Sequence, residues 1–400
     1  MSSLLLNILP IKDWFHLYMI NKKLNLMIIA GEVSGDMRAA EVVKIISKQL
    51  PGTVFLGIGG NQMRAAGVEI FYDTADMAVM GFTEVMRKYT FFKRVFYEML
   101  DIVSKRKPDA VILVDYPGFN IRFAAQTHAL GIKTIYYICP QVWAWNRSRI
   151  SELVKIVDCL ITIFPFEQKL FDGTGLKVDF VGHPLVDQAK KIWKAPPAKL
   201  PWQGTPHVAL LPGSRIHEIE HILPAMWSAA ALIEKDYPEA GFILAMPSRE
   251  IEDFARQKLE CLSNGPSNWS FVTGNTQQVL RQAQAAIVAS GTATLETSLM
   301  LCPMVIVYKM SFLTYLLGRM FVRVSHIGMV NIVAGEQICP EFIQGKATPE
   351  ALAKAIDPLL KNSKERSFAI DKLKAVNKTL GSGGAAENAA DIIRRLLSSV

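Results

Sequence analysis

No D-x-D sequence, no C-x-x-C pair and no G-x-G-x-x-G run occurs in the 400 residues. The first absence, together with the lack of any His/Asp cluster at ligand spacing, leaves a metal ion without evident ligands. The five cysteines, Cys139, Cys159, Cys261, Cys302 and Cys339, are odd in number and scattered. They indicate neither a zinc site nor a disulfide framework, and a reducing compartment fits them best. After Gly57-Ile58-Gly59, Gln62 stands where a dinucleotide-binding fingerprint needs its third glycine, which counts against a dehydrogenase. No uninterrupted apolar stretch reaches the roughly 18–20 residues that span a bilayer. The apolar run at Leu4–Leu9 lacks a small-residue cleavage site and is soon broken by Lys12 and Asp13, so a signal peptide is not expected. Residues 1–18 are set outside the fold argument, as a dispensable arm or an over-extended start. Met19 stands shortly before the first strand. Short repeats and low-complexity tracts are also missing.

What is present is an ordinary globular composition, half apolar and one fifth charged, in a chain long enough for two domains. The net charge of +8 suits a phosphorylated substrate, an anionic bilayer surface or nucleic acid, and equally suits no specific partner. Short apolar runs at Leu24–Ala30, Val54–Ile58, Ala110–Val114, Thr134–Ile138 and Cys159–Ile163 alternate with longer amphipathic segments. Such alternation predicts a parallel sheet covered on both faces. Composition shifts to Pro, Lys, Gly and Trp around Pro196–Pro206, which reads as a linker, and the pattern then restarts. His207–Leu211, Phe242–Ala245, Ala285–Val288 and Met304–Val307 are the strands of the second half. The expected architecture is α/β, with two doubly wound Rossmann-type domains facing a cleft and helices at the C-terminus. The expected boundaries are an extension at 1–23, a first domain at 24–195, a second at 206–348 and helices at 349–400. Ligands should lie beyond the carboxyl ends of the strands.

The informative residues are therefore those just past the strands. Gly31-Glu32-Val33-Ser34-Gly35-Asp36 and Gly57–Gly60 each lead into a helix, where backbone amides can meet an anion. A tight turn without ligand is the alternative for either. Pro212-Gly213-Ser214-Arg215 places a guanidinium where it can pair a diphosphate, or simply pair with Glu218 or Glu220. Ala289–Glu296 repeats the pattern: Ser290, Gly291 and Thr292 can cap a helix onto phosphate, and Glu296 can hold ribose hydroxyls. Ser290 alone is also an ordinary N-cap. Asp115 ends a buried strand, where desolvation raises a carboxyl toward the range of a useful base, although Asp is also a common turn-former. Over Met77–Leu100, Met77, Val79, Met80, Phe82, Phe91 and Phe92 interleave with Arg87, Lys88, Lys93 and Arg94. That suits an amphipathic helix in an anionic interface, or a core stripe with a solvated basic face. Met310–Val324 repeats the pattern.

Taken in order, these segments resemble the lipid-A-disaccharide synthase family. So do Met80-Gly81-Phe82-Thr83-Glu84-Val85, Pro140-Gln141-Val142-Trp143-Ala144-Trp145, Phe164-Pro165-Phe166-Glu167, Val181-Gly182-His183-Pro184-Leu185 and Val307-Tyr308-Lys309. The resemblance runs from about residue 25 to 395. It implies a GT-B-like fold and an inverting glycosyl transfer that needs neither metal nor cofactor. The implied donor is UDP-2,3-diacylglucosamine, and the implied acceptor is 2,3-diacylglucosamine 1-phosphate. The products would be a β-1,6-linked disaccharide 1-phosphate and UDP, made in the cytoplasm on the inner face of the inner membrane. It places the essential aspartate on Asp115, the diphosphate arginine on Arg215 with Ser214, and the nucleotide loop on Ser290, Gly291, Thr292 and Glu296. Asn331 and Glu341 are expected to border the nucleotide. The chain departs from the pattern at Val330-Asn331, where Pro-Asn is usual, and at Ala39, where glycine is expected. A second UDP-sugar enzyme, such as a UDP-N-acetylglucosamine epimerase or a peptidoglycan-lipid transferase, is the nearest competitor. An inactive nucleotide-sugar-binding partner is a third reading. Nucleic acid is not an expected partner, and a homodimer is left open.

Overall fold

The computed structural model describes residues 23–77, 89–144, 148–311 and 324–398. It divides into two units. One runs to Pro184 and resumes at Gly384, and the other is Leu185–Gly383.

In the first unit the strands are β1 (Asn25–Ala30), β2 (Val54–Gly59), β3 (Val68–Asp73), β4 (Ala110–Val114), β5 (Lys133–Tyr137), β6 (Cys159–Thr162) and β7 (Lys177–Phe180). Among the described residues they form one parallel sheet in the order β3-β2-β1-β4-β5-β6-β7. The apolar runs are continuous because alternate side chains enter two different cores. Leu26, Ile28, Ile112 and Val114 face helix Val33–Gln49 and the final helix Ala385–Leu397. Met27, Ile29, Val111 and Leu113 face helices Tyr89–Arg106 and Pro117–Ala129.

The second unit holds β8 (His207–Leu211), β9 (Gly241–Met246), β10 (Trp269–Thr273), β11 (Ala285–Ala289), β12 (Met304–Tyr308) and β13 (Glu341–Ile343), in the order β10-β9-β8-β11-β12-β13. All of its pairings are parallel. Both sheets are doubly wound as expected, and each reverses strand order at one place. The reversals fall between β1 and β4 and between β8 and β11, where a crevice opens beyond the strand ends.

The chain passes between units at Pro184–Leu185, not within the Pro196–Pro206 stretch. Helix Leu185–Lys194 is bound to the second unit by its own carbonyls and its tryptophan. Arg281 donates to the carbonyls of Ile192 at 2.7 Å and Ala195 at 2.8 Å, and the Trp193 indole donates to Leu299 at 3.1 Å. The proline-rich stretch is tied down in the same way, by Gln278 to the Ala198 amide and Gln282 to its carbonyl. The C-terminal helices do not form a separate layer either. Pro349–Leu360 buries Leu352 and Ile356 in the second core. The chain then crosses back at Gly383-Gly384, both at positive φ, and Ala385–Leu397 packs Ala389, Ala390 and Ile393 into the first core.

Candidate active site

Ala30 pairs with Val114 in register, so Gly31 and Asp115 leave the first sheet side by side. Gly31 is required by the aromatic ring that packs over it from the end of β4. A Cβ there would lie 2.3 Å from the Tyr116 ring, whose hydroxyl donates to the Met77 carbonyl at 3.1 Å. Asp115 and Tyr116 both have φ of 49°, and Ile138, the residue after β5, has φ of 68°. Left-handed backbone at non-glycine residues, one of them β-branched, is strain of the kind that collects at functional sites. The Asp115 amide donates to the Tyr137 carbonyl at 3.0 Å. Its own carbonyl accepts from the Tyr136 hydroxyl at 2.6 Å and from the Asn120 side-chain amide at 2.8 Å.

Burial pushes the Asp115 carboxyl up to about 6, and the charge of Glu32 adds to the shift. Glu32 is exposed at the start of helix Val33–Gln49. The same two causes push Tyr116 up to about 12. Asp115 is thus ionised at neutral pH yet far more basic than an exposed aspartate.

The rest of the first loop divides. Gly35 lies against Ala30 and Val114, and Ser34 is exposed. Asp36, only 3% exposed, turns away from Asp115 to the second glycine turn. It accepts from the amides of Gly60 at 2.7 Å, Met63 at 3.0 Å and Gln62 at 3.0 Å. The anion at that second helix start is therefore the protein's own carboxylate, and Asp36 braces the loop.

Two groups that interact with the Asp115 charge, Glu167 and Cys139, and a third buried group, His183, were not singled out by sequence reasoning. Glu167, 1% exposed, accepts from the Phe164 amide at 3.2 Å. Burial pushes it up to about 8, against the Phe164 amide and the Trp143 side chain, which favour its charged form. Cys139 is pushed far up by burial and then by Glu167 and Asp115. His183, its ring 5.0 Å from that of Phe164, is pushed down to about 3 by burial and Arg38, so it stays neutral. The Phe-Pro-Phe-Glu and Gly-His-Pro segments carried the only signal for Glu167 and His183, and Cys139 stood only among the five scattered cysteines.

At the second switch point, Pro212–Arg215 leaves β8 and Ser290–Thr292 leaves β11, adjacent strands. Ser214 and Arg215 do stand there, but a carboxylate meets them. Glu218 accepts from the Ser214 amide at 2.7 Å, the Arg215 amide at 3.3 Å and the Arg215 guanidinium at 3.2 Å. The Ser290 hydroxyl donates to the Ile327 carbonyl at 2.7 Å. Gly291, φ 144°, has open space where a Cβ would stand, and Thr292 begins helix Ala293–Leu299. Glu296 accepts from Gln277 at 3.5 Å.

Asn331 and Glu341 act behind this loop. Asn331 is wholly buried, giving its amide to the Cys339 carbonyl and Glu341, and taking the Ile338 and Cys339 amides on its oxygen. Glu341 also accepts from the amides of Ile327 and Gly328. The two residues brace the segment that carries Ile327 and Gly328, with Asn331 wholly buried and Glu341 half-buried. Val330 is buried where proline was expected, and helix Met329–Ala334 forms with it.

The expected membrane-facing set is corrected in part. Met77 is wholly buried in the core, beneath Tyr116. Phe91 and Phe92 are half-buried, their rings 5.6 Å apart. The apolar side of helix Tyr89–Arg106 serves the core, and its outer side carries Tyr89 (58% exposed), Lys93, Arg94 and Tyr97 (60% exposed). Val79, Met80 and Phe82, and nearly all of Met310–Val324, lie outside the described residues.

Comparison with known proteins agrees with the two-domain α/β fold. The family model described as lipid-A-disaccharide synthetase matches residues 26–393. A lipid-A-disaccharide synthase of Syntrophus aciditrophicus is 40% identical over 374 residues, covering 93% of this chain and 97% of the relative. Among solved structures, a calicheamicin glycosyltransferase matches with a TM-score of 0.60 at 15% identity, covering 95% of this chain and 99% of its own. A UDP-GlcNAc 2-epimerase of Neisseria meningitidis, solved with UDP-GlcNAc, matches with a TM-score of 0.59 at 11% identity, covering 94% and 100%. At those identities the two structures establish the GT-B architecture alone.

Proposed function

The chain belongs to the lipid-A-disaccharide synthase family, glycosyltransferases of lipid A biosynthesis that use a nucleotide-sugar donor, and from that premise we propose that Asp115 is its general base. In this reading the acceptor is 2,3-diacylglucosamine 1-phosphate and the donor is UDP-2,3-diacylglucosamine. Asp115 takes the proton from the acceptor 6-hydroxyl as that oxygen attacks the donor's anomeric carbon. Attack comes from the face opposite the leaving UDP and inverts the carbon. The observation that carries the reading is Asp115 itself: a half-buried carboxyl at the β1/β4 switch point, on strained backbone, raised to about 6. A base of that strength is ionised at neutral pH and still accepts a proton effectively in the transition state.

Arg215 and the backbone of Ser290–Thr292 take the charge that develops on the departing diphosphate, without a metal ion in the step. Glu296 holds the ribose hydroxyls in this reading. Glu218 must yield part of its hold on Arg215 for this to happen. The acyl chains require an apolar surface. Val33 and Met37, both exposed and one turn apart on the helix that starts beside Asp115, offer one contact. The aromatic and basic outer side of helix Tyr89–Arg106 supports seating on an anionic membrane surface. Among the described residues, no helix is long and apolar enough to cross a membrane.

The test is product analysis by mass spectrometry, using purified protein, both acylated sugars in mixed micelles, and EDTA. A disaccharide 1-phosphate and UDP in equal amounts are expected. Product only with non-acylated acceptors would overturn the acceptor assignment, and loss of product in EDTA would overturn the metal-free step.

A further inference from the structure

Two buried donors converge on a single oxygen at the end of β4. The Tyr136 hydroxyl lies 2.6 Å from the Asp115 carbonyl and the Asn120 amide lies 2.8 Å from it. A carbonyl oxygen has two lone pairs, so both are used. Neither residue is explained by packing. Tyr136 lies within the aromatic and aliphatic core beneath the sheet, wholly buried, where phenylalanine would fill the same volume without a hydroxyl to desolvate. Asn120, also wholly buried, leaves its side-chain oxygen without a partner, a cost that an apolar isostere would not carry. Its nitrogen also reaches the Val114 carbonyl at 3.3 Å. The two side chains hold the left-handed pair Asp115-Tyr116, a conformation that relaxes unless its surroundings enforce it.

We infer that Tyr136 and Asn120 are positioning residues for glycosyl transfer, a two-donor clamp on the Asp115 carbonyl that aims the Asp115 carboxylate at the acceptor hydroxyl. The inference rests on Asp115 being the base. The clamp acts through the backbone, so it governs the chemical step and leaves nucleotide binding alone. The charged and titratable groups around Asp115 are Glu32 beyond β1, Tyr116 on its own loop, Tyr136 and Cys139 on and after β5, and Glu167 beyond β6. Releasing the clamp leaves the Glu32 charge in place but lets water reach the carboxylate.

The experiment compares full-length wild type with Tyr136→Phe and the near-isosteric Asn120→Leu, each also in an Asp115→Asn background. Both single variants are expected to lower kcat by roughly 10- to 100-fold, the scale of misplacing a reacting group by a fraction of an ångström to an ångström. Donor KM and UDP affinity should stay within about twofold of wild type. The acid limb of the kcat profile should move to lower pH. In the Asp115→Asn background neither substitution should lower the residual rate further. Wild-type kcat and an unmoved acid limb in both folded single variants would overturn the clamp while leaving Asp115 as base. Equal proportional losses with and without the Asp115 carboxylate would also overturn it, by showing that the pair acts elsewhere. Full turnover in Asp115→Asn would instead remove the base assignment on which the clamp depends. If Tyr136→Phe does not fold, Asn120→Leu carries the same comparison.

Discussion

The Glu218 carboxylate joins the Arg215 guanidinium at 3.2 Å and the Ser214 amide at 2.7 Å, so the donors of the β8 turn already hold an anion. Arg215 is 62% exposed and Glu218 18% exposed, and pairs of this kind contribute about 0–1 kcal/mol. In the proposed site a diphosphate would compete with Glu218 for those donors and be repelled by its charge. Glu218→Gln is therefore expected to tighten UDP binding by about two- to fivefold, a gain of that same energy scale. Isothermal titration of UDP checks the sign. Weaker binding in the variant would mean that Glu218 supports the nucleotide site instead of competing for it.

Asp36 makes a different prediction, because two of its three amide partners, those of Gly60 and Met63, are buried. Asp36→Ala should destabilise the first unit by on the order of 2–4 kcal/mol, since buried donors are left unpaired. Asp36→Asn, which keeps one accepting oxygen, should cost less. Chemical denaturation followed by a probe in the first unit measures both. A loss of activity from Asp36→Asn with unchanged stability would point instead to a direct role in the reaction.

Glu167 sets a pH dependence of stability. Its folded carboxyl, held up to about 8 by burial, stays protonated while the unfolded chain ionises near 4.5. The contribution is complete below about 4.5 and is lost as pH rises toward 8. Asp115 works in the same direction between about 4 and 6. Glu167→Gln removes the first loss and should be more stable than wild type at pH 8 by on the order of 2–4 kcal/mol, with little difference at pH 4. Melting temperatures of the two proteins at both pH values test this. An equal difference at the two would contradict it.

The interior of both sheets was legible because β1, β4, β8 and β11 are buried on both faces and therefore read as unbroken apolar runs. The strands that escaped notice, β3, β7, β10 and β13, are the four sheet edges. Their side chains alternate between core and solvent or are only half-buried, so no run forms. Asp115, Arg215 and Ser290 were legible as residues after strands. The left-handed backbone at Asp115, Tyr116 and Ile138 was not, because only glycine advertises positive φ in a sequence. Met77 was misread because an apolar stripe at helical spacing looks the same facing lipid or core. The return of Ala385–Leu397 to the first unit, and the capture of Leu185–Lys194 by the second, depend on contacts between residues far apart in sequence. Neither leaves a local mark.

The most direct measurement of the central claim is steady-state turnover of Asp115→Asn beside its UDP affinity, with the pH profile of wild-type kcat taken under the same conditions. The account predicts turnover lower by about 10²–10⁴-fold, as loss of a general base produces, and UDP affinity within about twofold of wild type. It also predicts that the wild-type rate rises with pH through a limb near 6, where Asp115 loses its proton. Turnover within a few-fold of wild type in Asp115→Asn, or a wild-type rate that does not fall below pH 6, would contradict it.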